Sequence, residues 1–344
     1  MKKVCKYTII SCGVIFCVLY LISCKKSDSR YVLDGLAQGT YYHLVFYAND
    51  TIGVKQDIKH IFNEIDNSLS LWNQNSIINK VNRNEEVELD SIFITNFRAS
   101  QYFAELTDGS FDITVGELVR KYGFAEKDRE NLTQRQLDSL LKYVGYNKIS
   151  LNKNRLVKNF EQTKLDFNAI AQGYTSDRIA TYFKNRNIKS FIIDVGGEVV
   201  CGEIKPNQQK WAVGIEKPIV SDKEAKTNNH SNKRRTQEII YLQNASVVTS
   251  GNYRKFYIEN GLKYSHTIDP KTGKPVTHSL LSASVIANNA TTADALATSF
   301  MVMGLENTKK FLQKHKQYDA MLIYSNEIGE IQIWESENFS KYKK

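Results

Sequence analysis

Four of the chain's five cysteines, Cys5, Cys12, Cys17 and Cys24, fall within its first 24 residues, and only Cys201 stands in the remaining body. A body with a single cysteine closes no internal disulfide, so its fold must rest on a hydrophobic core alone. A body of about 320 residues is long enough to build one, as one large domain or two lobes.

The N-terminal cysteines sit in a targeting pattern. Lys2, Lys3 and Lys6 make a basic start, residues 7–22 run apolar without a charge, and Leu21-Ile22-Ser23-Cys24 closes the run. That run is shorter than the roughly 18 residues that span a bilayer comfortably. A short apolar-to-small stretch before a cysteine is the pattern of a bacterial lipoprotein signal. The expectation is a signal over 1–23, lipid on Cys24, and a polar tether over 24–34. The protein would then be anchored by lipid on the extracytoplasmic (periplasmic) side of a bacterial membrane, because two or more acyl chains give stable anchoring. The competing reading is an uncleaved N-terminal membrane helix.

The formal charge is +9, of which the signal lysines supply three. Much of the rest clusters in residues 25–30, in Lys233-Arg234-Arg235 and in residues 341–344, which reads as solvated surface. No basic stripe interleaved with aromatics argues for nucleic acid, so none is expected as a partner.

Residues 39–47 (GTYYHLVFY) read as a strand. Ile58, Ile61, Phe62, Ile65 and Leu69 recur at helical spacing over 57–71, and residues 91–107 repeat the pattern. Residues 132–144 form a further amphipathic helix with Thr133 as N-cap. A helix over 174–185 leads to strands at 190–194 and 199–202, joined through Gly196-Gly197 as a hairpin. Strands follow at 211–215, 238–242, 245–249 and 282–287. A helix over 291–303 ends at Gly304 as C-cap, and residues 320–324 and 330–334 form a last hairpin. Residues 220–236 are polar and read as a surface loop insert. The pattern predicts an α+β fold of mixed, largely antiparallel sheets with packed helices over 35–335, rather than a doubly wound sheet, followed by a polar tail at 336–344.

Four segments carry chemistry. In residues 108–116 (DGSFDITVG), glycines permit tight turns and close approach to a ligand; the plainer reading is a connecting loop. In residues 164–177 (KLDFNAIAQGYTSD), a helix opens at Gly173, and a helix start approached by small residues is an anion site. The spacing is that of neither a P-loop nor a dinucleotide fingerprint. Asp269-Pro270 followed by Thr272-Gly273 is strong turn chemistry, and His266, three residues before Asp269, is either a positioned base or structural. Asp294 and Thr298 stand one helical turn apart on one face. A carboxylate with a hydroxyl suits a hard cation such as Mg2+, and no His/Cys cluster suits zinc. The alternative makes Asp294 a first-turn acid favoured by the helix dipole.

In this order the chain resembles the ApbE family of FAD:protein FMN transferases. The motifs are QGT (38–40), GSFDITVGELV (109–119), LDFNAIAQGYTSD (165–177), DVGGE (194–198), TSGNYR (249–254), YSHTIDPKTGKP (264–275) and ADALATSF (293–300). The resemblance implies an ApbE-like fold and Mg2+-dependent transfer of FMN from FAD to a Thr or Ser hydroxyl of an acceptor protein, with AMP leaving. It implies an acceptor belonging to a membrane redox complex. Metal ligands would be Asp294, Thr298 and the backbone carbonyl of Ala169. FAD contacts would fall at Gln38, Trp72, Ser110, Phe111, Asp112, Asp166, Gln172 and Ile268. His266, with Asp269, would act at the reacting centre. The chain departs from the family pattern with Gln38 for Met, Trp72 for Tyr, Gln172 for Lys, Asn168 for Ser and Thr267 for Ile. The alternatives are a Mg2+-dependent FAD pyrophosphatase giving FMN and AMP, a non-catalytic flavin-binding lipoprotein, and a structural surface lipoprotein.

Overall fold

The computed structural model describes residues 28–124, 130–218, 236–252, 256–259, 262–265 and 267–344. The signal, Cys24, His266 and residues 220–235 of the insert lie outside them. The chain forms, in order, β1 (Ser29–Ala37), β2 (Thr40–Ala48), α1 (Val54–Leu69), α2 (Ile77–Asn82), α3 (Ser91–Leu106), α4 (Gly116–Lys121), α5 (Gln134–Leu141), β3 (Ile149–Asn152) and β4 (Arg155–Lys158). It continues with α6 (Ala171–Asn185), β5 (Phe191–Val195), β6 (Glu198–Cys201), β7 (Trp211–Glu216), β8 (Thr236–Leu242), β9 (Ala245–Gly251), β10 (Phe256–Glu259) and β11 (Leu262–Ser265). It closes with β12 (Leu280–Ala287), α7 (Ala290–Lys314), β13 (Asp319–Ser325) and β14 (Ile331–Glu335).

Eight strands make one sheet in the order β1-β2-β5-β6-β9-β12-β13-β14, with every neighbouring pair antiparallel. Alternating side chains sort onto its two faces. Leu44, Phe46, Ile193, Val195, Val248, Val285 and Leu322 meet the apolar residues of α1, α3, α6 and α7 on one face. Val45, Val199, Cys201, Val247, Ile286, Met321 and Ile323 meet Trp211, Val213, Ile215, Ile240 and Leu242 of the β7–β8 hairpin on the other. With both faces covered, β12 is buried along its whole length. The antiparallel α+β class expected from the pattern is the one observed.

Local capping sets the helix starts. Asp90 accepts from Phe93 N at 2.7 Å and from Ser68 Oγ at 2.8 Å, so it begins α3 while holding the end of α1. Thr133 and Gln136 close a capping box at α5. A third, smaller cluster packs Leu118, Leu137, Val144 and Ile268 together, which seats the 268–275 turn.

Three boundaries differ from the sequence reading. The tether over 24–34 overlaps β1, because residues 29–37 pair with β2 along their full length. The tail over 336–344 is not a free end: Phe339 is fully buried against the hairpin-covered face, and the Tyr342 hydroxyl donates to Asp319 at 3.0 Å. Burying a phenylalanine contributes about 1.5–3 kcal/mol, enough to fix a short segment whose other packed aromatic is the partly buried Tyr342. Gly304 breaks α7 rather than ending it, with φ 73° and ψ 179°. The freed carbonyls find side chains: His278 Nε2 lies 2.7 Å from Met301 O, and Thr308 Oγ1 donates to Gly304 O at 2.7 Å. The helix therefore resumes at once.

A Cβ on residue 304 would meet His278 Cδ2 at 3.1 Å and would occupy backbone space open to glycine alone. Gly304→Ala is expected to cost about 1–3 kcal/mol, read as a lower midpoint in denaturant unfolding; an unchanged midpoint would show that the break is unstrained.

Candidate functional site at the paired starts of α6 and α7

The start of α6 crosses the start of α7 at backbone contact. A Cβ on Gly173 would lie 2.5 Å from the Ala290 carbonyl oxygen and 2.8 Å from Asp294 Cβ, so only glycine permits the approach. Gly173 N–H, in the first turn of α6, donates to Asp294 Oδ2 at 3.0 Å. In return Asp177, one turn further along α6, closes the start of α7. Its Oδ1 accepts from Ala290 N at 2.8 Å, and its Oδ2 accepts from Thr291 N at 2.8 Å and from Thr291 Oγ1 at 2.5 Å. Each helix thus satisfies open N–H groups at the other's start.

The two carboxylates differ in what remains to them. Asp177 accepts three hydrogen bonds. Asp294, 5% exposed, accepts one from among the described residues, leaving Oδ1 without a partner. Burial pushes the Asp294 carboxyl up to about 7; the nearby Asp177 charge pushes the same way and the Gly173 N–H opposes it. Thr298 stands one turn on, its hydroxyl 3.4 Å from Ser250 Oγ of β9. Gly173 N–H turns to Asp294, and no backbone N–H of the described residues bonds the Ala169 carbonyl. A carboxylate oxygen, a hydroxyl and a carbonyl are hard donors, and they fit a Mg2+ ion that takes few protein ligands. Among the described residues no three His, Cys, Asp or Glu side chains cluster as an alternative metal centre.

Two turns close over this spot. In the β5–β6 turn, Asp194 Oδ1 accepts from Gly197 N at 2.9 Å and Oδ2 from the Tyr41 hydroxyl at 3.1 Å. A Cβ on Gly196 would meet Thr40 Cγ2 at 2.9 Å and Gln172 Nε2 at 3.1 Å. In the β1–β2 turn Gln38, at φ 53°, accepts from Thr175 Oγ1 at 3.1 Å. Gln38, Ala169, Gln172, Asp294 and Thr298 are therefore gathered around the start of α6.

The other expected site residues fall elsewhere. Asp166 N donates to Ile113 O at 2.8 Å, tying the 164–170 loop to the 108–116 loop. Asp112 is buried with its carboxylate engaged: Oδ1 accepts from Thr114 N and Oγ1, and Oδ2 from Tyr146 N. Phe111 packs inward against Phe103. Their side chains hold the loop, and what they offer a ligand is backbone. Ile268 belongs to the third core cluster. The Asp269 carboxylate accepts from Lys271 N at 2.9 Å and Thr272 Oγ1 at 3.0 Å, holding its own turn. Trp72 follows the end of α1 and is 65% exposed. Ser110 and Asp269 share a cleft of about 500 Å3 with Lys271, Met303, Lys310 and Phe311. Sequence reasoning passed over Gly173 and Asp177 as positioning residues, since their partners lie on a helix more than a hundred residues away.

Fold and donor set together define an antiparallel α+β protein with hard oxygen donors gathered where two helix starts cross. A profile of the ApbE family matches residues 38–322. The chain is 28% identical over 321 residues to the FAD:protein FMN transferase of Vibrio cholerae, covering 91% of this chain and 92% of that relative. It is 28% identical over 312 residues to the FAD:protein FMN transferase of Haemophilus influenzae, covering 86% and 87%. The solved flavin transferase ApbE from Vibrio cholerae matches with TM-score 0.80 at 26% identity, over 92% of this chain and 99% of that one. The solved ApbE protein of Thermotoga maritima matches with TM-score 0.78 at 29% identity, over 92% and 100%. The chain belongs to the ApbE family.

The raised Asp294 pKa predicts a pH signature. Between about pH 4 and 7 the folded state holds this proton more tightly than the unfolded chain does, so stability falls as pH rises through that window. Asp294→Asn keeps the Gly173 hydrogen bond without the charge. In metal-free buffer its thermal midpoint should match the wild type near pH 4 and exceed it increasingly toward pH 8. Parallel curves across that range would refute the burial of an open carboxylate here. Gly173→Ala should weaken both variants by pushing α6 off α7.

Proposed function

We propose that this chain is a Mg2+-dependent FAD:protein FMN transferase, held by a lipidated Cys24 on the extracytoplasmic side of a bacterial membrane. Its acceptor would be a subunit of a membrane redox complex bearing a Thr or Ser flavinylation site. The observation that carries the reading is the half-used Asp294 carboxylate held at the start of α6 by Gly173 N–H. The family membership and the names of the relatives say which chemistry that pocket serves.

FAD is the substrate, with its pyrophosphate at the start of α6, where the helix dipole favours negative charge. Asp294, Thr298 and the Ala169 carbonyl would hold Mg2+, which would neutralise charge developing on the pyrophosphate. Gly173 fixes the carboxylate, and Asp177 fixes the helix that carries it. Gln38 and Gln172 present amides beside the same helix start. The acceptor hydroxyl oxygen attacks the FMN-side phosphorus. A new P–O bond forms as the bond from that phosphorus to the bridging oxygen breaks, and AMP departs with that oxygen. The hydroxyl proton passes to His266, an imidazole being suited to accept a proton near neutral pH. Asp269 holds the turn that follows His266.

Incubation with FAD and Mg2+, with and without a co-expressed candidate acceptor, tests the reading by mass spectrometry. The expected result is a gain of one FMN on an acceptor Thr or Ser. Rapid release of FMN and AMP without acceptor would instead make water the main acceptor, and bound flavin without turnover would make the protein a flavin carrier. Asp294→Ala should abolish turnover. Mg2+ should raise the thermal midpoint of the wild type and leave that of Asp294→Ala in place; equal shifts would remove Asp294 from the metal site.

A further inference from the structure

Beyond the break at Gly304, α7 leaves the helix pair and becomes one wall of the 500 Å3 cleft. The end of α3 and the Asp269–Lys271 turn form the opposite wall. Leu106, Val302, Met303 and Phe311 give it an apolar floor. Lys310 and Lys314 stand one turn apart on the cleft face of α7, both exposed, and neither has an ion-pair partner among the described residues. The cleft's two carboxylates are engaged on the opposite wall. Asp108 pairs with Lys271 at 2.6 Å, and Asp269 is bonded within its own turn. The α7 wall is therefore left with positive charge that the fold does not neutralise.

The cleft is also placed for a second substrate. Asp269 is three residues from His266, and Ser110 adjoins the Phe111–Asp112 backbone. Two lining residues of the cleft, Ser110 and Asp269, thus belong to segments that also carry expected site residues. We propose that this cleft seats the acceptor protein. An extended segment places an apolar side chain on the Met303–Phe311 floor and an acidic side chain against Lys310 and Lys314. The assignment rests on the transferase reading, and it names the chemistry of the partner that the same site accepts. Rim charges of this kind act on encounter rate and on salt dependence more than on chemistry.

The test uses the full chain and its Lys310→Glu/Lys314→Glu double variant. The probes are short fluorescent peptides that carry one Thr and one Leu with none, one or several Asp residues. Anisotropy should show wild-type affinity rising with the number of Asp residues and falling with salt. The double variant should lose on the order of tenfold in affinity for the most acidic peptide and should rank the peptides flat or in reverse. FAD concentration dependence and FAD cleavage without acceptor should be the same in both proteins, since neither lysine is among the expected metal or flavin residues. Affinity independent of Asp content, or equal in the two proteins, would overturn the proposal. Displacement of the peptide by saturating FAD, or a raised FAD requirement in the variant, would assign the cleft to flavin and overturn it as well. Peptide binding that follows charge, in a protein that moves no FMN to any acceptor, would keep the acidic-segment site and sink the transferase reading instead.

Discussion

The structure turns on an exchange of caps between two helices. Asp294 of α7 takes an open N–H from the start of α6, and Asp177 of α6 takes two from the start of α7. Each helix start carries partial positive charge, so each carboxylate finds a field that favours it. The exchange is possible only because Gly173 lets the backbones touch. Once made, it fixes the crossing of the helices and the position of every oxygen donor borne on them. A site built this way needs no ligand to assemble it, because the same hydrogen bonds that close the fold also aim the donors.

That crossing is held from below by the sheet and from above by two turns. Apolar residues on the helix-covered face of β5, β9, β12 and β13 pack beneath α6 and α7. The β1–β2 and β5–β6 turns close on Gln172 and Thr175. The break at Gly304 then separates two tasks along one helix. The first half follows α6 and the donors. The second half turns toward α3 and forms a different surface. Had the helix run straight through Gly304, the two halves would share one axis, and a wall fitted to α3 would have to tilt Asp294 and Thr298.

How far the sequence discloses this depends on the range of the interaction. Helices α1, α3 and α5 were legible because their apolar spacing lies within one segment, as does the Thr133 cap of α5. The β5–β6 hairpin was legible from Gly196-Gly197. Strand β1 was not, since as an edge strand its outward residues are polar or exposed and its polar start reads as tether. Phe339 was missed because one apolar residue in a polar segment carries no periodicity. The Asp294–Thr298 pair was readable as two oxygens on one face, but its partner Gly173 was not, being set by a crossing of distant segments. Asp112, Asp177 and Asp269 illustrate the same divide. All three read as acids in motif segments, and only the fold shows that each is consumed by nearby N–H or O–H groups.

That consumption sets Asp294 apart from those three acids. Burial of an ionised carboxylate is costly unless its oxygens are matched. Asp112 and Asp177 meet that cost with three donors each. Asp294 has one, and its pKa lies correspondingly near neutrality. Packing gives no reason for charge at this position, since an uncharged acceptor would satisfy Gly173 equally well. A charge kept where it weakens the fold, one helical turn from the Thr298 hydroxyl, marks a position set by something other than packing. Under the proposed function, a divalent cation bound there would supply the missing partners and return the carboxylate to its ordinary ionised state.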